Sequence, residues 1–119
     1  MLTVTKIFEF EAAHHLPDYQ GKCHNLHGHT YKLEVEISGP PIGEKMPKGM
    51  IYDFGNLKHD VQMQILSVYD HICLNDIDQY PTAENILARI VAELRHGYEN
   101  NLVRVRLWET SNSYAEWRK

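Results

Sequence analysis

The segment His27-Gly28-His29 places two imidazoles at i and i+2. On a β-strand such residues point to the same side, several ångströms apart, which suits two nitrogens binding one ion. Gly28 leaves the opposite side without a side chain and lets another backbone approach closely. His14 has the same strand phase as Phe8 and Phe10 in the preceding segment, and antiparallel pairing would bring the two strand ends together. Three histidines with one position left open describe a catalytic zinc centre, whereas structural zinc is closed by four protein ligands. The plainer reading is three core or loop histidines with hydrogen-bond partners. Cys23 lies four residues before His27. A metal or an imidazolium beside it would lower the thiol pKa and make a thiolate available as base or nucleophile; otherwise Cys23 is a small buried hydrophobe. Cys73, within the apolar run Ile72-Cys73-Leu74, is expected to be inert core.

Three further side chains carry possible chemistry. Asp70 precedes His71, and an aspartate can orient and charge-stabilise an imidazole; the competing reading is a histidine complementing the C-terminal end of a helix. Glu109 continues the apolar phase of Val103, Val105 and Leu107. A carboxylate in such a phase needs a partner. A ligand with two adjacent N–H donors, such as a 2-amino-4-oxo-pyrimidine ring, would be one, and a strand end open to water is the alternative. Thr82, Glu84 and Asn85 read as helix-start chemistry. His15, His24, His59 and His96 are unassigned, His24 being close enough to serve as an alternative ligand.

The elements that must position these groups follow from hydrophobic periodicity. Leu2 to Ala13 reads as a strand, with Lys6 and Ile7 interrupting its alternation; Leu16 to Leu26 reads as a loop, with Pro17, Asp18 and Gly21. Tyr31, Leu33, Val35 and Ile37 alternate with Lys32, Glu34 and Glu36 in the cleanest strand. The Pro- and Gly-rich run from Ser38 to Gly49 reads as a loop and Met50 to Phe54 as a short returning strand. Leu57, Val61, Ile65 and Val68 form the stripe of one helix. A second helix begins at the N-cap Thr82, continues through Ile86, Leu87, Ile90, Val91 and Leu94, and ends at Gly97. A strand from Leu102 to Thr110 follows. Strands and helices grouped in this order give an α+β class, an antiparallel four-stranded sheet with two helices on one face.

With 119 residues, residues 1–119 form a single domain able to bury a core. The net charge of −4 argues against nucleic acid as the partner. Eight histidines are present, and five of them, His14, His15, His24, His27 and His29, crowd one stretch. Two cysteines make no disulfide framework. No charged leader with an apolar run opens the sequence, and nothing approaches the roughly 20 apolar residues that span a bilayer. A cytoplasmic protein with reduced thiols and no membrane partner is expected.

Taken together, the sequence resembles the 6-pyruvoyltetrahydropterin synthase family, in particular its 6-carboxy-5,6,7,8-tetrahydropterin synthase branch. The resemblance spans nearly the whole chain. It rests on Phe10-Glu11-Ala12-Ala13-His14, Cys23 with His27-Gly28-His29, Asp53-Phe54, Asp70-His71 with Leu74-Asn75-Asp76, Pro81-Thr82-Ala83-Glu84 and Glu109-Thr110. It implies that His14, His27 and His29 hold Zn2+, that Cys23, Asp70 and His71 are catalytic, and that Glu109 anchors the pterin ring. His15 stands where a similar enzyme often has arginine. The three-residue gap from Cys23 to His27 resembles the carboxy branch. The resemblance further implies a tunnelling (T) fold assembled as a homohexamer, a dimer of trimers with active sites between subunits. The implied reaction is lysis of 7,8-dihydroneopterin triphosphate to 6-carboxytetrahydropterin, acetaldehyde and triphosphate, in 7-deazaguanine (queuosine) biosynthesis. The alternatives are 6-pyruvoyltetrahydropterin synthesis and, from another class, a non-catalytic zinc-binding scaffold. A scaffold would have no use for Cys23, Asp70 and His71.

Overall fold

Alternation in the first two segments produces a long hairpin. In the computed structural model, which describes residues 1–39 and 49–119, β1 (Thr3–His14) and β2 (His27–Ser38) pair antiparallel from Thr3 opposite Ser38 to His14 opposite His27. Lys6 and Ile7 do not interrupt the strand: Ile7 pairs with Glu34 and remains on the outer face, 56% exposed, in phase with Glu9 and Glu11. The inward phase of the hairpin comprises Phe8, Phe10, Ala12 and His14 from β1 and Tyr31, Leu33, Val35 and Ile37 from β2, all buried.

The sheet is larger than expected and mixed rather than purely antiparallel. Besides β1 and β2 it contains β3 (Ile72–Cys73), β4 (Leu102–Thr110) and β5 (Ser113–Arg118), in the order β3-β1-β2-β4-β5. β3 runs parallel to β1, Ala12 opposite Ile72 and Ala13 opposite Cys73. Cys73 is therefore half-buried edge strand rather than inert core. β5 pairs with β4 at the far edge; its inward phase is Ala115 and Trp117, half-buried against the core, too short an alternation for periodicity to detect. Conversely, Met50 to Phe54 forms no strand. Asp53 instead caps the next helix by accepting from the Asn56 N–H at 3.0 Å, and Tyr52 packs on Tyr98 and donates to Asp60. Residues 40–48 of the expected Ser38–Gly49 loop lie outside the described residues.

In β4 the expected phase needs one correction. A bulge shifts the register so that Arg104 faces Glu36 while Leu102 faces Ile37. The extra residue, Val103, drops out of the inward phase, and Leu102 takes its place, fully buried. Val105, Leu107 and Glu109 keep the phase assigned to them.

The helices cover the inward face. α1 (Phe54–Val61) continues through a π-helical stretch, Gln62–Leu66, into the short α2 (Ser67–Tyr69). A π turn inserts an extra residue and delays the buried face by one position. Leu57, Val61 and Ile65 are buried as expected, but Tyr69 follows them inward and Val68 is 47% exposed. α3 (Ala83–Tyr98) starts where Thr82 Oγ1 accepts from the Asn85 N–H at 3.2 Å. It buries Ile86, Leu87, Ile90, Val91, Leu94 and Tyr98 and ends one residue past Gly97, at a Glu99 with φ 44°. The outer face of the sheet is polar, crossed by ion pairs such as Arg104–Glu36 and Arg106–Glu116.

Candidate metal centre and its surroundings

The strand register makes the site. His14 and His27 are directly opposed, and Ala12 faces His29. All three imidazoles stand in the inward phase at one end of the hairpin. One ring nitrogen from each lies within 4.8 Å of the others. His14 is completely buried.

Hydrogen bonds fix which nitrogen of each ring carries the proton. His14 Nδ1 lies 2.8 Å from the Pro81 carbonyl and His27 Nδ1 lies 2.7 Å from the Asn25 carbonyl. A carbonyl only accepts, so both Nδ1 atoms donate, and in the neutral ring each Nε2 is then the acceptor. Those two Nε2 atoms face each other at 3.1 Å, a repulsive arrangement unless a cation or proton sits between them. His29 Nε2 is buried without a hydrogen-bond partner. Burial lowers the His29 pKa; nearby Glu109 opposes this, while His14 and His27 reinforce it. The site thus turns the Nε2 atoms of His14 and His27 inward, each Nδ1 anchored by a backbone carbonyl. Three convergent imidazoles with carbonyl-anchored rings are a donor set that zinc accepts, and the residues fit Zn2+.

Glu109 arrives from β4. Its carboxylate lies 3.7 Å from His29 Nε2 and 4.0 Å from His14 Nε2. It also lines a cleft of about 380 Å³ together with Ala83, Glu84, Ser113, Tyr114 and Ala115. Its partners are therefore the imidazoles on one side and a ligand-sized space on the other. Glu84, read from sequence as helix-start chemistry, is on the wall of that cleft. The Tyr31 hydroxyl, its pKa pushed up by burial, lies 3.4 Å from His14 Nδ1.

Cys23 sits in a 3-10 turn, Lys22–His24, on the loop joining β1 to β2, half-buried, with its carbonyl accepting from the Leu16 N–H at 2.8 Å. Asp70 and His71 make the contact that one sequence reading required, His71 Nδ1 to Asp70 Oδ1 at 2.9 Å. The same Asp70 oxygen accepts from the Glu11 N–H at 2.9 Å, and the His71 N–H donates to the Glu11 carbonyl at 2.6 Å. The bond from Glu11 and then those from His71 hold the Asp70 carboxyl below its usual value. His71 adopts φ 61°, a left-handed conformation sparsely populated by residues other than glycine.

No hydrogen bond joins this pair to the triad among the described residues. Glu11 belongs to the outward phase of β1, where its carboxylate accepts from Thr30, and His71 lines a cleft of about 420 Å³ whose wall also includes Glu11, Gly28, Thr30 and the triad's His29. Sequence reasoning missed the roles of the Pro81 and Asn25 carbonyls, which have no residue-type signature, and gave Asn75, named only within the Leu74-Asn75-Asp76 motif, no role; its carboxamide bonds the His15 backbone.

The α+β sheet thus brings three imidazoles that could hold one metal ion, and the carboxylate of Glu109, to one end of the hairpin beside a ligand-sized cleft. The chain belongs to the 6-pyruvoyl tetrahydropterin synthase family, which it matches over residues 3–119. It is 36% identical to the 6-carboxy-5,6,7,8-tetrahydropterin synthase of Haemophilus influenzae, with 100% of both chains covered. It is 41% identical to a putative 6-carboxy-5,6,7,8-tetrahydropterin synthase of Archaeoglobus fulgidus, covering 92% of this chain and 90% of that one. The structure of Caenorhabditis elegans 6-pyruvoyl tetrahydropterin synthase superposes with a TM-score of 0.80 at 27% identity, over 99% of this chain and 95% of that one. The fold is the tunnelling fold expected from the sequence, with five strands in place of four. Among the described residues no helix is long and apolar enough to cross a membrane.

Proposed function

We propose that the protein is a zinc-dependent carbon–carbon lyase. It converts 7,8-dihydroneopterin triphosphate to 6-carboxy-5,6,7,8-tetrahydropterin, releasing acetaldehyde and triphosphate for 7-deazaguanine biosynthesis in the cytoplasm. The observation that carries the reading is the approach of the His14 and His27 Nε2 atoms to 3.1 Å beside the His29 Nε2, which has no hydrogen-bond partner among the described residues, in a chain whose relatives carry that enzyme's name.

His14, His27 and His29 hold the ion. When bound, zinc supplies Lewis acidity that lowers the pKa of substrate hydroxyls. Glu109 accepts from the pterin's two adjacent N–H donors in the cleft that it lines. Cys23, as thiolate, takes a proton on one side, and the Asp70–His71 pair moves protons on the other, Asp70 holding the imidazole's Nδ1–H so that Nε2 faces substrate. The pair bonds the Glu11 backbone at the sheet edge and is joined to the triad by no hydrogen bond among the described residues; in the proposed assembly, a homohexamer built as a dimer of trimers, the complete site takes Asp70–His71 from a neighbouring subunit.

A second reading, 6-pyruvoyltetrahydropterin synthesis by triphosphate elimination, draws on the likeness to the Caenorhabditis elegans protein. Incubation with 7,8-dihydroneopterin triphosphate, followed by mass identification of the products, tests both. Acetaldehyde with 6-carboxytetrahydropterin is expected; 6-pyruvoyltetrahydropterin without acetaldehyde would favour the second reading, and unchanged substrate would remove both.

A further inference from the structure

We propose that Asn75 is a positioning residue: its carboxamide fixes the His15 peptide and, through it, the turn that carries Cys23. The importance of Cys23 rests on the function proposed above; its placement by Asn75 rests on the hydrogen bonds alone.

The parallel ladder between β1 and β3 ends where Ala13 faces Cys73. Two residues further along each chain, a side chain continues it. Asn75 Oδ1 accepts from the His15 N–H at 2.9 Å, and Asn75 Nδ2 donates to the His15 carbonyl at 2.9 Å. One side chain that satisfies both polar groups of a single residue holds that peptide as a neighbouring strand would. His15 directly follows the buried His14, so the clamp sits at the last ordered point of β1 before the loop.

The loop then closes on itself. The Leu16 N–H donates to the Cys23 carbonyl at 2.8 Å, and the Tyr19 N–H to the Leu16 carbonyl at 3.3 Å. Residues 18–22 contribute no buried side chain, so packing gives this loop little rigidity of its own. Its position relative to the triad is set at its base, where Asn75 acts. Asn75 is itself well anchored. It lies in the 3-10 turn Leu74–Asp76, whose Leu74 side chain is fully buried and whose Leu74 carbonyl accepts from the N–H groups of Ile77 and Asp78. Its hydrogen bonds therefore link a core-anchored turn on one side to the Cys23 loop on the other.

The test compares Asn75→Ala and Asn75→Asp with Asn101→Ala. Asn101 makes a similar side-chain bond, to the Ser38 carbonyl at 2.8 Å, at the opposite end of the sheet, and so controls for general loss of stability. Purified protein is treated with iodoacetamide and the rate of Cys23 modification is read by peptide mass mapping. Asn75→Ala is expected to speed Cys23 modification several-fold, with Asn75→Asp, which keeps the acceptor and loses the donor, in between and Asn101→Ala unchanged. In turnover assays Asn75→Ala should lower kcat roughly 10–100-fold with KM little changed, as a small misplacement of a reacting group does. Equal Cys23 rates in wild type and both Asn75 variants, or the same acceleration in Asn101→Ala, would overturn the proposal. If Asn75→Ala does not fold, Asn75→Asp decides alone. Because modification needs no substrate, a wild type that leaves the pterin triphosphate unchanged defeats the function proposed above while the placement of Cys23 is still decided.

Discussion

At the scale of single residues, the site is distinguished by where protons are and are not. His14 and His27 each donate Nδ1–H to a backbone carbonyl and turn Nε2 inward, so removing one ring removes one of the three convergent nitrogens. His27→Ala should lose bound zinc and turnover together, read by metal content per chain. Glu109 is the discriminating position, because its carboxylate reaches both the imidazoles and the cleft. Glu109→Gln is expected to keep zinc and to weaken pterin binding by about 1.5–3 kcal/mol, the scale of a hydrogen bond to a charged group, since an amide accepts one N–H bond but turns a donor toward the other. Calorimetric titration with a pterin, alongside metal analysis, checks this; zinc loss in Glu109→Gln would make the carboxylate a fourth ligand instead.

At the scale of elements, the start of α3 connects fold to site. It places the Pro81 carbonyl on His14 and puts Ala83 and Glu84 on the wall of the Glu109 cleft, and Thr82 caps it. Thr82→Ala should cost about 1 kcal/mol of stability, measured by urea denaturation at fixed protein concentration, with the midpoint falling and the slope unchanged. Elements with a buried face were legible in the sequence. β1, β2, β4 and both main helices carry their apolar periods openly, and the in-phase placement of His14, His27, His29 and Glu109 followed from those periods. What escaped left a short or shifted signal. β5 turns only Ala115 and Trp117 toward the core, β3 is two residues long, and the π turn changes which of Val68 and Tyr69 points inward without changing composition. Met50 to Phe54 misled because Met50 and Phe54 are exposed and Tyr52 packs on Tyr98 of α3, with no ladder between them. Backbone carbonyls that select tautomers leave no mark in a sequence at all.

At the scale of the whole molecule, the Asp70–His71 pair bonds the Glu11 backbone where β3 joins β1, while the three ring nitrogens of the triad gather in the inward phase of the hairpin. If neighbouring subunits complete each other's sites, two dead variants rescue one another. Cys23→Ala and His71→Ala, each inactive alone, should regain roughly a quarter of wild-type activity when unfolded and refolded together at equal amounts, as random assembly of a symmetric oligomer gives. No recovery in confirmed mixed oligomers would place the complete site within one chain. The hairpin has a further consequence, in the order of synthesis. All three imidazoles come from residues 14–29 of one hairpin, and contacts of short sequence separation form first. The set of nitrogens is therefore assembled while the second half of the chain is still being made. The Pro81 carbonyl that orients His14 and the carboxylate of Glu109 reach it later, so an ion captured by the nascent hairpin meets a looser site than the one the finished protein keeps.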